Sequence, residues 1–277
     1  MTIEQLERRA LAIREDIIVM LEEAGSGHPG GALGMADIYA ALYFEVMRHD
    51  PKKPEWPGRD RLILSCGHTC PVRYAAMAES GYFPRKELLT LRKFGTRLQG
   101  HPHNLAMPGL ETTSGPLGQG LSQAVGMALA ARLDGENHRI YCVTSDGEHD
   151  EGQIWEAVMF AAARKLDNLT VIVDRNRIQI EGDTETVMPL DPFAEKYRAF
   201  NWEVIEIDGN NMKEVLRAFH QAKQVSGRPV CIMANVVPGK GVDFMEGNYK
   251  WHGVAPKPEE AEKALEDLWL QKVGEPA

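Results

Sequence analysis

Five short apolar runs, at residues 61–65, 140–144, 170–174, 202–207 and 230–235, are set among segments whose apolar residues recur at helical spacing, at 117–133, 153–165 and 212–224. Runs of this length suit buried strands, and helical segments between them carry the chain back so that successive strands run the same way. The predicted fold class is therefore α/β, a mostly parallel sheet with helices on both faces. Ligands of such sheets sit outside the carboxyl ends of the strands, so the residues just after each run are where chemistry is sought.

Leu6, Ala10, Ile13, Ile17, Met20 and Leu21 predict an opening amphipathic helix over 3–23. Residues 24–34 are glycine-rich and read as irregular, with a second helix following through Ile38, Leu42 and Val46. A last amphipathic helix is expected over 259–270 after a proline-rich linker. Both terminal helices read as peripheral elements of a single domain over 1–277, whose 43% hydrophobic content supplies one large core.

The net charge of −9 leaves no overall basic footprint for nucleic acid. No apolar run approaches the roughly 20 residues of a bilayer span, and the first residues lack the pattern of a signal peptide, so a cytoplasmic protein with no membrane contact is expected. Cys66, Cys70, Cys142 and Cys231 read as reduced thiols. Cys66 and Cys70 flank His68, but a structural zinc site needs four ligands and no second pair lies nearby.

Two runs end in groups suited to a hard cation. Residues 140–144 lead into Ser145-Asp146-Gly147-Glu148, and residues 170–174 lead into Arg175-Asn176-Arg177-Ile178. Magnesium takes one or two protein oxygens and the rest from phosphate and water, which the Asp146 carboxylate, the Asn176 amide oxygen and a nearby carbonyl could supply. Gly147 would let backbone approach a phosphate closely. An EF-hand register fails, because its sixth and twelfth positions fall on Glu151 and Ala157. Taken alone, the acidic run from Asp146 to Glu151 is also what a solvated loop looks like.

An Asp-Gly pair at one strand end with an Asn at the next resembles the thiamine diphosphate motif, and the flanking segments resemble transketolase in transketolase order. They are Ser-Gly-His-Pro-Gly around His28, Leu-Ser-Cys-Gly-His ending at His68, Gly-His-Pro around His101, Gly-Pro-Leu-Gly-Gln-Gly from Gly115, Glu151-Gly152 and Trp251-His252-Gly253. The resemblance implies that Asp146, Asn176 and the Ile178 carbonyl hold Mg2+, for which Ca2+ or Mn2+ can substitute. It implies further that Gly147, His68 and His252 contact the diphosphate, and that Gly115, Pro116 and Leu117 meet the ring portion of thiamine diphosphate. His28, His68, His101 and His252 would bind and deprotonate sugar hydroxyls, a task suited to a side chain that titrates near neutrality.

The activity implied is transfer of a two-carbon ketol unit from a ketose phosphate to an aldose phosphate, as in the pentose phosphate pathway, with the cofactor supplying the electron sink. The family's pyrimidine-binding domain, whose glutamate activates the cofactor, follows the diphosphate domain in full-length members and is not in this sequence. The resemblance thus implies a split transketolase, active with a separate C-terminal subunit toward which Glu151 points, and a heterotetramer as its assembly. Ser145 stands where glycine is usual, and where the family has a substrate-phosphate arginine after Phe94 the sequence reads Gly95-Thr96-Arg97, which leaves Arg92 and Arg97 as candidate substitutes with neither assigned. Other thiamine diphosphate enzyme halves, above all one like deoxyxylulose phosphate synthase, and a non-catalytic homologue are the alternatives. His49, His103, His138, His149 and His220 lack such context and read as surface residues.

Overall fold

The computed structural model describes residues 1–273. Helix α1 (Ile3–Ala24) starts from a reciprocal cap in which the Thr2 side chain accepts from the Gln5 amide and Gln5 reaches back, and it stops at Gly25, whose left-handed φ of 61° no branched residue would take readily. Then come α2 (Pro29–Gly34), α3 (Ala36–Ala41) and a π-helical turn, Leu42–Val46. Strand β1 (Arg61–Leu64) leads through a 3-10 turn at Gly67–Thr69 into α4 (Cys70–Ser80), and a long irregular stretch reaches α5 (Gln119–Leu133). The alternation β2 (Ile140–Ser145), α6 (Gly152–Ala163) and β3 (Leu169–Arg175) follows. A small hairpin pairs Ile178–Gln179 with Gly182–Asp183. The chain closes with α7 (Phe193–Ala199), β4 (Glu203–Asp208), α8 (Met212–Gln224), β5 (Val230–Asn235) and α9 (Pro258–Val273).

The strands form one five-stranded sheet in the order β1-β2-β3-β5-β4, and every pairing is parallel. Side chains alternate between two cores, as pleating requires. Leu62, Leu64, Tyr141, Val143 and Ile172 face the core under α1, α3, α4 and α8, while Ile63, Cys142, Val171 and Val173 face the core under α5, α6 and α7. β2 and β3 are buried throughout, which explains why they read as unbroken apolar runs. Edge strand β4 keeps Glu203, Glu206 and Asp208, charges that discourage pairing with another chain.

Two expectations are corrected. α1 is not peripheral: Leu6, Ile13, Ile17, Ile18 and Leu21 are fully buried beneath α3, α4 and α9. The glycine-rich stretch is helical over Pro29–Gly34 because tertiary contact favours it, with a side chain at Gly34 lying 3.0 Å from the Val237 carbonyl and one at Gly31 lying 3.1 Å from Asp174. α2 thereby delivers the chain from His28 to the strand tips.

Candidate functional site

The carboxyl ends of β1, β2 and β3, the start of α2 and the turn at Tyr249–Trp251 surround a cavity of about 460 Å³. His28, His68, His101 and His252 line it. Three of their rings form a triangle, with centroids 5.0 Å apart for His28 and His68, 5.4 Å for His68 and His252, and 5.8 Å for His28 and His252. Gly253 eases this approach, since a Cβ there would stand 3.3 Å from His28 Cδ2, a tight but not prohibitive contact. Burial, reinforced by the neighbouring imidazoles, pulls His28 down to about 4 and His68 to about 3, and burial also lowers His252 and His101. These rings are therefore neutral near pH 7, and they titrate below the neutrality that the sequence reading assumed. The Nδ1 atoms of His28 and His252 are buried without a partner.

The opposite wall carries Gly147, Asn176, Ile178 and Gln179. Asp146 lies directly behind it, fully buried. Register places Ser145 beside Asp174, and the Asp146 amide bonds the Asp174 carbonyl at 3.1 Å, so both strand tips meet as the motif required. Asp146 Oδ1 accepts from the Gly147 amide at 2.8 Å, while Oδ2 accepts from the Arg177 amide at 2.7 Å and from Arg175 at 3.4 Å. Burial nevertheless lifts its carboxyl to about 6. The Asn176 amide oxygen accepts from the Ile178 amide at 3.0 Å.

Asp174 was not anticipated as a site residue. Its carboxyl is fully buried, neither oxygen makes a hydrogen bond of good geometry, and the Asn176 amide beside it is its one favourable neighbour. Burial and the Asp146 charge hold it well above the usual carboxylate range. Two buried carboxyls back to back, one with orphaned oxygens, fit a bound cation, whose charge would offset both. The donors suited to it are carboxylate, amide and carbonyl oxygens; no group of three or more His, Cys, Asp or Glu that could hold a metal appears among the described residues. The thiols flanking His68 are buried, with Cys70 donating to the Gly100 carbonyl at 3.2 Å, in keeping with packed cysteines.

Gly115 and Leu117 line a third side, and Glu151, at the N-cap position of α6 but without a capping hydrogen bond from its side chain, stands at the rim. Gly118 turns there with φ 82°, and a Cβ on it would come within 2.8 Å of Glu151. A neighbouring open hollow of about 700 Å³ runs from His101 past Ser26 to Arg92. Here the two candidate arginines separate. Arg97 is ion-paired with Glu87 and lies over the Phe83 ring, whereas Arg92 faces the hollow, 3.4 Å from Ser26 Oγ, with no ion pair among the described residues.

His220 is exposed, as expected, but His149 is a correction: it is 1% exposed and bonded on both ring nitrogens. His49, His103 and His138 are half-buried. The sequence also missed Glu148, which is fully buried although it sits in a run that imitates a solvated loop, and Gln179, Ile180 and Glu181, which the hairpin swings into the cavity. No helix among the described residues is long and apolar enough to cross a membrane.

Residues 6–272 match the family described as transketolase, thiamine diphosphate binding domain. The chain is 45% identical to the 6-deoxy-6-sulfo-D-fructose transketolase subunit of Clostridium sp. (strain MSTE9), over 98% of this chain and 95% of that one. It is 39% identical to a subunit of the apulose-4-phosphate transketolase of Phocaeicola vulgatus, over 97% and 95% respectively. The crystal structure of Campylobacter jejuni transketolase superposes with a TM-score of 0.92 at 36% identity, covering 97% of this chain but 43% of that enzyme.

Proposed function

Because the chain belongs to the transketolase family through its thiamine diphosphate-binding domain, we propose that it is the diphosphate-binding subunit of a split transketolase. Together with a separate pyrimidine-domain subunit it would move a two-carbon ketol unit from a ketose to an aldose, the substrates carrying an anionic terminus. The observation that carries this reading is the meeting, around one cavity, of the imidazole triangle with the paired tips of β2 and β3. The names of the relatives favour a subunit over a complete enzyme, and they widen the donor class from pentose phosphates to ketoses such as a sulfonated fructose or apulose 4-phosphate.

When bound, thiamine diphosphate would supply an electron sink for cleaving the carbon–carbon bond beside a carbonyl. Asp146, the Asn176 amide oxygen and the Ile178 carbonyl would hold Mg2+, and Gly147, His68 and His252 would meet the diphosphate. The backbone of Gly115, Pro116 and Leu117 would support the ring portion. His28 and His101, neutral at working pH, would orient the sugar hydroxyls, and one imidazole would take the hydroxyl proton that must leave as the bond breaks. Glu151 would face the partner subunit, and two copies of each chain would assemble as a heterotetramer.

The test is co-purification with a pyrimidine-domain subunit, followed by a ketol-transfer assay on phosphorylated and sulfonated ketoses. Activity should require both subunits and Mg2+, and Asp146→Asn should cost at least the roughly 10–100-fold that loss of an outer-shell partner costs a metal site. A complex that decarboxylated pyruvate instead would belong with deoxyxylulose phosphate synthase, and one that did neither would end the proposal.

A further inference from the structure

Glu148 follows the Asp146-Gly147 pair, and its carboxylate is 0% exposed. Oε1 accepts from the Ser65 hydroxyl and, at 2.7 Å, from the Gly118 amide. Oε2 accepts from the Ser145 amide at 3.1 Å. Ser65 stands just past β1, Gly118 opens α5 and Ser145 ends β2, so one carboxylate ties together three segments that are remote in sequence. Ser65 Oγ in turn accepts from the Gly120 amide at 3.1 Å. The junction is tight, since a Cβ on Gly120 would lie 2.5 Å from that of Ser65.

The three segments do not depend on Glu148 equally. Ser145 and Asp146 are already fixed by the β2–β3 ladder and by the Asp146 amide on the Asp174 carbonyl. Residues 115–118 belong to no strand. The Ser114 amide is anchored on the Pro102 carbonyl at 3.0 Å, and the other end is anchored through the Gly118 amide on Glu148.

We propose that Glu148 is a positioning residue: it sets the distance between the 115–118 wall and the strand tips, and so the fit of the ring portion of the cofactor, while the diphosphate end is held without it. This rests on the proposed function, and it concerns a fully buried side chain at the edge of the cavity that none of the binding roles above includes. Replacing one carboxylate oxygen by an amide nitrogen would set a donor against the backbone amide of Gly118 or of Ser145.

Two ligands report on the two ends of the site. In the Mg2+-loaded complex with the pyrimidine-domain subunit, calorimetric titration of Glu148→Gln should give a Kd for thiamine diphosphate raised by about 10–100-fold, the usual cost of a lost supporting partner. The Kd for inorganic pyrophosphate should stay at the wild-type value. Ser65→Ala, which removes one donor and retains the carboxylate, should show the same split at about fivefold, and it decides the matter if Glu148→Gln fails to fold. Wild-type affinity for both ligands in the variants, or equal weakening of both, would overturn the assignment. A wild-type complex that binds pyrophosphate and not thiamine diphosphate would instead sink the proposed function, and this inference with it.

Discussion

Two groups of histidine in this molecule share one property and differ in another. Burial depresses His149 to about 4, as it does His28. Yet His149 is saturated: its Nδ1–H donates to the Ser145 carbonyl at 2.8 Å, which leaves Nε2 to accept from the Tyr197 hydroxyl at 2.8 Å. Phe193, Trp155 and Tyr197 surround it within 4.7–5.7 Å, centroid to centroid. His28 and His252 keep orphaned nitrogens beside a cavity. A displaced pKa therefore does not separate a structural histidine from a chemical one; saturation of both ring nitrogens is what marks His149 as structural.

The contrast can be broken by exchanging the losses. His28→Ala should lower kcat/KM for ketol transfer by about 10²–10⁴-fold, the range of general acid–base assistance, with the denaturant midpoint close to wild type. If the variant unfolded easily and retained its activity, the two groups would have to be reassigned. His149→Gln should do the reverse, costing about 2–4 kcal/mol of unfolding free energy at neutral pH. The gap should also narrow on acidification. Between pH 6.5 and about 4 the unfolded chain protonates this ring and the folded chain does not, so wild type alone loses its contribution, by as much as about 3 kcal/mol. Asp146, raised to about 6, works in the opposite direction in both proteins, so the difference between them isolates His149. A gap that did not vary with pH would mean that His149 is not buried as a neutral ring. The smallest effect belongs to Tyr197→Phe, which leaves Nε2 unpaired and should cost about 1 kcal/mol, read by thermal unfolding.

What the sequence made legible follows from how local each signal is. β5 and α8 coincide with their predicted bounds, because unbroken apolar residues and helical spacing are set by neighbours in the chain. The strand tips bearing Asp146 and Asn176 were legible for the same reason, and the glycine-flanked histidines through resemblance to a family. Glu148 and His149 were not, since what buries them comes from Ser65, Gly118 and Tyr197, far away in sequence. Their own surroundings, Gly147 and Asp150-Glu151, describe an open acidic loop. α2 was hidden likewise, because a helix containing Gly30, Gly31 and Gly34 defies local propensity and is chosen by the close approaches it permits. α7 and the hairpin fell below the length at which periodicity speaks.

The imidazole triangle places residues 28 and 252 only 5.8 Å apart, ring to ring. On a ribosome, a growing chain could therefore pair β1 through β5 and bury both faces of its sheet while one wall of its pocket was still being synthesised. Such contacts between distant residues are slow to close, so the cavity should be among the last features to mature. A nascent molecule would acquire its shape before its pocket was closed.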